Sequence, residues 1–460
     1  MLEGGHLEKK VGIDDIAAYV PKLYLGAEEL ARARGIDPSK IIDGLGVEEM
    51  AVPDAHEDAA TMAAMAALKL MEKNDLEPRD IDFIHVATET SPDASKPISC
   101  YVLGMLEQRY GKGSFAHVGA PETKFACVGA TYAMIDRLAY IFSGWDERKC
   151  SIVVATDIAR YDLNSSGEPT QGAAAVALLL RDNPRLMTYE PQFTGFGTVD
   201  DRDFFRPIER TTAVVNGQYS IGCYLRDMRI AADAYKRKML KLQIIKSLRE
   251  SVVDKIDLVS FHTPFPKMVE YAFASFLIHD WRGIPRYSKI LKEIGPEPSR
   301  EGFTDLEFYI SDEYKAFRKS FTRTEEFSTE YEEKVADSLV ALRLIGNSYN
   351  ASVWLGAESH LQKRTDDLAG KRIGIGSYGS GSSAIVCSFI VQPEYKEAVE
   401  KLNLMQALSR RHKISLDVYE SLHEGRLKSD ESVLPPGNEF ALESIGKESH
   451  DCGYRYYRFV

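Results

Sequence analysis

The chain has 460 residues, of which 44% are hydrophobic and 27% charged. This composition is that of an ordinary folded protein, and it excludes an intrinsically disordered, collagen-like or coiled-coil chain. Fifty-seven lysine and arginine residues stand against 69 aspartate and glutamate residues, and the resulting net charge of −12 argues against nucleic acid or an acidic membrane as the main partner.

Short apolar runs rich in β-branched residues alternate with helical patterns along the chain. Runs that are apolar throughout are typical of strands covered on both faces of a sheet. We predict strands, in chain order, at residues 81–88, 150–156, 172–180, 256–261, 372–375 and 384–391. We predict helices at residues 58–73, 99–110, 129–143, 224–251, 267–279 and 334–361. This alternation predicts an α/β protein.

An internal repeat divides the chain into two similar halves. The segment IDFIHVAT at 81–88 aligns with IDLVSFHT at 256–263. Small-residue helix starts at 126–131 and 346–351 follow in matching places, and then come strands with loops at 155–157 and 376–381. We therefore predict an N-terminal half at 11–220, a C-terminal half at 221–395 with a helical insertion at about 282–329, and a tail at 396–460. The aromatic end of this tail is expected to pack onto the body, because exposed Tyr and Phe runs are costly.

The six cysteines are scattered, at positions 100, 127, 150, 223, 387 and 452, with no Cys-x-x-Cys pair. This spacing predicts neither a zinc nor an iron–sulfur site, and it is typical of a reducing compartment. The first six residues lack the pattern of a signal peptide. The longest apolar stretches are too short, or too rich in Gly and Ser, to cross a bilayer. We expect a cytoplasmic protein with no metal and no membrane contact.

Cys127 lies where an irregular segment turns into a helix rich in Ala and Gly. A helix N-terminus favours a thiolate, so this position predicts a lowered thiol pKa and a nucleophilic Cys127. The alternative is a buried structural cysteine, which fits Cys150, Cys223 and Cys387 better because they open a strand or lie in apolar runs.

Two polar residues follow equivalent strands of the repeat. Glu89 comes directly after the strand at 81–88, where α/β sheets place functional groups, and partial burial would raise its pKa and suit it to proton abstraction. His262 lies close to the matching place in the second half, and an imidazole can polarise a carbonyl and give or take a proton. The alternatives are a capping or solvated glutamate and a core histidine.

The glycine-rich segment 374–382 matches the letters of G-x-G-x-x-G but runs into an apolar strand instead of opening a helix. A turn at which backbone closely approaches a ligand is therefore the better interpretation. Lys267 opens the helix that follows His262, and it could hold a phosphate or be a solvated surface lysine.

Taken together, these features resemble the thiolase superfamily, and closely resemble its 3-hydroxy-3-methylglutaryl-CoA synthase family, over residues 11–391. Two elements are highly specific in this order with the Glu, Cys and His, namely GEPTQGA at 167–173 and SYGSG at 377–381. The other matching motifs are ATET at 87–90, FAC at 125–127, ATDIARY at 155–161, FHTPF at 261–265 and GN at 346–347. The resemblance implies a duplicated thiolase-like fold with α-β-α-β-α layers.

The resemblance also implies the reaction, a condensation of acetyl-CoA with acetoacetyl-CoA and water that gives 3-hydroxy-3-methylglutaryl-CoA and CoA in the mevalonate pathway. Cys127 would carry the acetyl group as a thioester, Glu89 would remove a proton from its methyl group, and His262 would hold and protonate the ketone oxygen. The implied substrate-binding residues are Tyr161, Asn347, Ser380 and Thr170, with Asp157 supporting the site and Lys267 near the CoA phosphates. The substrates are CoA thioesters, and neither a metal nor a redox cofactor is implied.

Two alternatives stay open from the sequence. A polyketide β-branching synthase uses the same residues on substrates bound to a carrier protein. A non-catalytic thiolase-like scaffold would bind a partner enzyme, although it has no need of Cys127, Glu89 and His262 together. Related folds pair through the central sheet, so we expect a homodimer.

Overall fold

The computed structural model describes residues 9–148, 150–210 and 212–460. The strands are β1 Val11–Tyr19, β2 Leu23–Gly26, β3 Glu49–Val52, β4 Ile81–Ala87, β5 Glu122–Thr123, β6 Cys150–Ala159, β7 Gly172–Asp182, β8 Met187–Tyr189, β9 Gly195–Thr198, β10 Phe204–Phe205, β11 Val214–Val215, β12 Leu258–Phe261, β13 Arg372–Gly379, β14 Ser383–Val391, β15 His412–Lys413, β16 Phe440–Ile445 and β17 Arg455–Phe459.

The α-helices are α1 Ala27–Ala33, α2 Pro38–Ile42, α3 Ala59–Lys73, α4 Ile98–Tyr110, α5 Gly129–Ser143, α6 Gly217–Lys241, α7 Pro266–Trp281, α8 Pro285–Ile294, α9 Asp305–Ile310, α10 Asp312–Phe321, α11 Glu325–Lys334, α12 Leu339–Ile345, α13 Ser352–Lys363, α14 Tyr395–Val399, α15 Leu404–Ser409 and α16 Leu416–His423. In this described part of the chain, none of the helices combines the length and the apolar character needed to cross a membrane.

The central sheet contains the same four-strand pattern twice. Its order is β12-β13-β14-β8-β1-β7-β6-β4-β5, with β9 also paired to β14. In the first half β4 runs parallel to β6, which is antiparallel to β7, which is antiparallel to β1. In the second half β12, β13, β14 and β8 repeat these relations, and the halves meet where β1 pairs with β8. The duplication expected from the sequence is confirmed, with β4 equivalent to β12 and β6 to β13.

Helices cover both faces of the sheet, which explains why its strands are apolar throughout. In the first half α3 packs against β1, β6 and β7, and α5 packs against β4, β6 and β7. In the second half α6 packs against β13 and β14, and α13 packs against β12 and β13. Leu178 and Leu179 point to opposite faces of β7, yet both are fully buried. The structure confirms an α/β fold with a mixed central sheet.

Two of the predicted helices have different bounds in the structure. The helix expected at 224–251 is α6, which starts earlier because the Asn216 side chain caps it by accepting a hydrogen bond from the backbone N of Tyr219. It also ends at Lys241, so the predicted end at 251 is wrong. The single helix expected at 334–361 is wrong. Gly346 has a φ of +81°, which ends α12, and a Cβ there would lie 2.0 Å from the Gln171 carbonyl oxygen. The break brings residues 346–351 to the site described below.

The insertion and the tail are both folded onto the body. The four helices α8 to α11 occupy the region of the predicted insertion. The tail adds β15 to β2 and ends in the β16–β17 hairpin. Arg455 Nη1 and Tyr457 OH donate to Asp58 Oδ2 at 2.7 and 2.8 Å. The other oxygen of Asp58 caps α3, so the aromatic end of the tail is tied to the body as expected. The exact domain limits, 11–220, 221–395 and 396–460, stay a prediction.

Candidate active site

A cavity of about 470 Å³ lies between the two halves. Six of the site residues predicted from the sequence line this cavity, and they come from both halves. They are Cys127, Tyr161, Thr170, His262, Asn347 and Ser380. Glu89, Asp157 and Lys267 lie outside this lining, and their positions are given below.

Cys127 occupies a tight turn that precedes α5, because α5 begins at Gly129. Ala126 in this turn has a φ of +37°, an unfavourable value for a residue with a Cβ. Asn350 holds the turn in place: its Nδ2 donates to the Ala126 carbonyl oxygen and to Asp157 Oδ2, and its Oδ1 accepts from the backbone N of Ala130. The break between α12 and α13 therefore positions Cys127, which belongs to the other half.

The predicted lowering of the Cys127 pKa is wrong. Burial raises the pKa of the thiol well above its ordinary value, and the nearby carboxylates of Asp157, Glu89 and Asp203 raise it further. Desolvation and negative charge both disfavour a thiolate, and they outweigh the helix terminus. The resting thiol is therefore protonated, and its reaction requires a base.

Glu89 stands two residues beyond the end of β4, near enough for its charge to raise the pKa of the Cys127 thiol. Its backbone N donates to Asp157 Oδ1 at 2.7 Å, and the Thr88 and Thr90 hydroxyls donate to the same oxygen. The Glu89 side chain is buried, and burial raises its pKa, as the sequence led us to expect. Arg206 Nε lies 3.6 Å from Glu89 Oε1 and opposes this rise.

His262 directly follows β12 and is fully enclosed. Burial lowers its pKa to about 3, so the imidazole is neutral. Ser352 Oγ lies 2.7 Å from Nδ1 of His262 and itself donates to the Tyr349 carbonyl oxygen. Because the Ser352 hydroxyl proton is used in this way, Nδ1 of His262 donates to Oγ. Nε2 is then the unprotonated nitrogen, able to accept a proton.

The remaining predicted residues fall into two groups. Tyr161, Thr170, Asn347 and Ser380 line the cavity. Asn347 donates its backbone N–H to the Thr170 carbonyl oxygen at 2.9 Å and so joins the two halves. Asp157 is fully buried behind the thiol turn, where burial raises its pKa to about 7. Lys267 lies partly exposed in the first turn of α7, next to the lining residue Met268, and pairs with Glu270 at 2.6 Å.

Sequence reasoning missed three residues that hold the site together. Asn350 lies inside the segment 346–351 that the repeat had indicated, so a signal for it existed. No local sequence signal existed for the other two residues, Arg206 and Ser352. Arg206 Nη2 donates to the Glu89 carbonyl oxygen at 2.7 Å, and Ser352 orients His262. Their roles depend on contacts across 117 and 90 residues of chain, which no local pattern reveals.

Replacing Asn350 by alanine is expected to destabilise the fold by about 1–3 kcal/mol, because the amide of Ala130 and the carboxylate of Asp157 would lose buried hydrogen bonds. Urea denaturation of the variant and the parent protein measures the difference. Asn403, a surface residue at the start of α15 with no side-chain cap hydrogen bond, is the control site, and its alanine variant should stay close to the parent. An equal stability of N350A and the parent would contradict the bridging role.

Comparison with known proteins agrees with this geometry. Residues 7–184 match the family model for the hydroxymethylglutaryl-coenzyme A synthase N terminal, and residues 188–435 match the one for the C terminal. A hydroxymethylglutaryl-CoA synthase of Haloferax volcanii is 35% identical, over 98% of this chain and 99% of its own length. One of Enterococcus faecalis is 31% identical, over 95% and 97%.

Among solved structures, MvaS in complex with 3-hydroxy-3-methylglutaryl coenzyme A is 34% identical, with a TM-score of 0.84. The alignment covers 98% of this chain and all of that one. Two family models that together span most of the chain, and relatives above 30% identity over nearly its whole length, point to one assignment. The chain belongs to the hydroxymethylglutaryl-CoA synthase family.

Proposed function

We propose that the chain condenses acetyl-CoA with acetoacetyl-CoA and water to give 3-hydroxy-3-methylglutaryl-CoA and CoA, as a step of the mevalonate pathway. The observation that carries the proposal is the meeting of Cys127 and His262 on one cavity, with the Glu89 carboxylate close enough to raise the pKa of the thiol. A thiol can form a thioester, a carboxylate can deprotonate its methyl group, and an imidazole can exchange a proton with oxygen.

The first step transfers an acetyl group to Cys127. Because the resting thiol is protonated and Nε2 of His262 is free to accept a proton, we assign the thiol proton to His262 as the sulfur attacks the acetyl carbonyl carbon. The carbon–sulfur bond to CoA breaks, and CoA leaves as a thiolate that takes a proton from solvent. His262 is then charged inside a buried site that lowers its pKa, and it is a strong acid for the next step.

The second step forms the carbon–carbon bond. Glu89 removes a proton from the methyl group of the acetyl thioester, and the resulting carbon nucleophile adds to the ketone carbon of acetoacetyl-CoA. His262 gives its proton to the ketone oxygen, which becomes the tertiary hydroxyl. Water then hydrolyses the thioester to the carboxylic acid and returns a proton to Cys127. Glu89 releases the methyl proton to solvent, which balances the proton that CoA took. Raised pKa values of this kind are how sites adapt a carboxylate to proton abstraction near neutral pH.

Substrate binding is assigned to the other residues of the cavity. Tyr161, Asn347, Ser380 and Thr170 would position the acyl groups, while Asp157 fixes the thiol turn and the loop of Glu89 together. Lys267, on the outer side of α7, would meet the CoA phosphates in exchange for Glu270. We also propose that the protein is a cytoplasmic homodimer. Sedimentation equilibrium measures the mass of the dimer directly.

The decisive assay mixes the protein with acetyl-CoA and acetoacetyl-CoA and follows the loss of the acetoacetyl-CoA enolate absorbance. We expect turnover with the free CoA thioesters. A polyketide β-branching synthase would turn over only when an acyl-carrier protein presents the substrate, and a scaffold would turn over neither. Turnover confined to carrier-bound substrates, or none at all, would overturn the proposal.

The condensation rate is expected to depend on the ionisation of Glu89. A base must be deprotonated, and burial raises the Glu89 pKa above its ordinary value of 4.5, so the rate should fall with decreasing pH around a midpoint above 4.5. The rate of Cys127 acetylation, which does not use Glu89 as a base, serves as the control and should not fall around this midpoint. A profile of kcat/KM for condensation that stays flat down to pH 4.5 would contradict the assignment.

A further inference from the structure

A second cavity, of about 420 Å³, lies directly behind the wall of the catalytic cavity. The two cavities share the backbone that leaves β6, because successive side chains of an extended segment point to opposite sides. Tyr161 faces the catalytic cavity, and Arg160 faces the second one. Thr170 and Gln171 are divided between the cavities in the same way.

The tail provides the outer wall of the second cavity. Tyr419, His423 and Arg455 line it from this side. His423 Nε2 lies 2.9 Å from the carbonyl oxygen of Tyr161, and Gln171 Nε2 donates to Tyr419 OH at 2.6 Å. None of the motifs assigned to catalysis lies in the tail, but the tail forms one wall of the second cavity.

The acidic groups of the second cavity are already satisfied by the protein. Asp54 accepts from the backbone N–H groups of Val433 and Leu434. Glu57 accepts from the backbone N of Asp54 and from Tyr19 OH, and burial raises its pKa. The carboxylate of the remaining acid, Asp58, is taken up by the cap of α3 and by the tail.

The basic groups are not all satisfied. Arg455 is paired with Asp58, and Arg206 lies against Glu89. His423 is neutral, because burial and the charge of Arg160 lower its pKa. Arg160 alone has no hydrogen bond and no ion pair with any residue in the described part of the chain.

The surroundings make an isolated Arg160 charge unfavourable. Burial lowers the pKa of Arg160, and the like charge of Arg455 lowers it further. A guanidinium cannot lower this cost by losing its proton under ordinary conditions, and Arg160 is only partly exposed, so an anion in the cavity would stabilise its charge. The cavity in front of it is within the range of small-molecule sites.

We propose that the second cavity binds a small organic anion whose carboxylate pairs with Arg160. A carboxylate matches the guanidinium with two parallel hydrogen bonds and neutralises the single unpaired charge. Gln171, Tyr419, Thr90 and Ser91 line the rest of the cavity.

Isothermal titration of the purified protein with malonate and with succinate, at constant ionic strength, tests this site without reference to catalysis. We expect at least one of the two dicarboxylates to bind saturably with one molecule per chain. R160Q should weaken that binding at least tenfold. R249Q removes an exposed arginine whose side chain makes no hydrogen bond or ion pair among the residues that the structure describes, and it should leave the binding unchanged.

Two further measurements keep the outcome clear. Succinamide, the neutral diamide of succinate, should not bind the unaltered protein. This measurement does not depend on whether any variant folds correctly. Without ligand, R160Q should melt at the same temperature as the parent or higher, since it removes an unpaired and partly buried charge. The proposal is overturned if neither dicarboxylate binds, if succinamide binds as well as succinate, or if R160Q binds as tightly as R249Q. None of these results depends on whether the condensation takes place.

Discussion

Replacing Cys127 by alanine is expected to abolish acetyl transfer and to reduce condensation by about four orders of magnitude or more, because no other group in the cavity can carry the acyl chain as a thioester. Intact-protein mass spectrometry after mixing with acetyl-CoA should show a gain of roughly 42 Da in the parent protein and none in C127A. The enolate assay measures the accompanying loss of condensation.

Cys452 provides the matched control, because it is a free cysteine at an exposed position of the tail. C452A should retain the acetyl adduct and full turnover. If C127A kept an adduct that digestion mapped to another residue, the nucleophile assignment would be wrong. If neither the parent nor C452A formed an adduct, the covalent route itself would be excluded.

Replacing Glu89 by alanine should have a different signature, with the acetyl-enzyme retained and condensation slowed by about 10²- to 10⁴-fold. The carboxylate is needed to remove the methyl proton but not to form the thioester. Removing its charge should even favour Cys127 ionisation, since Glu89 is one of the groups that raise the thiol pKa. Rapid-quench measurement of acetylation and steady-state condensation separates the two steps.

The exposed Glu443 offers a control of the same charge, and E443A should behave like the parent in both steps. Unchanged condensation in E89A would remove the base assignment. Loss of acetylation together with condensation would instead indicate that E89A has disturbed the thiol turn, and circular dichroism of the variant would then report a change in folding.

The fold class and the repeat could be predicted because both depend on local hydrophobic patterns. The strand at 81–88 and its partner at 256–261 reappear as β4 and β12. The helix expected at 334–361 failed because periodicity cannot show that Gly346 adopts a positive φ, or that the Gln171 carbonyl occupies the space of a side chain there. That constraint comes from the other half of the molecule.

The chemistry of the site was only partly visible for the same reason. The sequence indicated Cys127, Glu89 and His262 through their places in the repeat. The direction of the Cys127 pKa depends first on the burial of the sulfur and then on the carboxylates around it, and Asp157 and Asp203 reach it only in the folded chain. Arg206 and Ser352 orient Glu89 and His262 from distant segments, so no spacing rule predicts them.

The equivalence of β4 and β12 has a consequence for how such a reaction centre can arise. Two separate identical polypeptides related by a twofold axis must present the same amino acid at both strand ends. Covalent linkage of the two copies removes this restriction, and each can mutate alone. Here one copy has a carboxylate after its strand and the other has an imidazole. Two unlike groups at equivalent strand ends are possible only because both copies belong to one polypeptide, in which their sequences can differ.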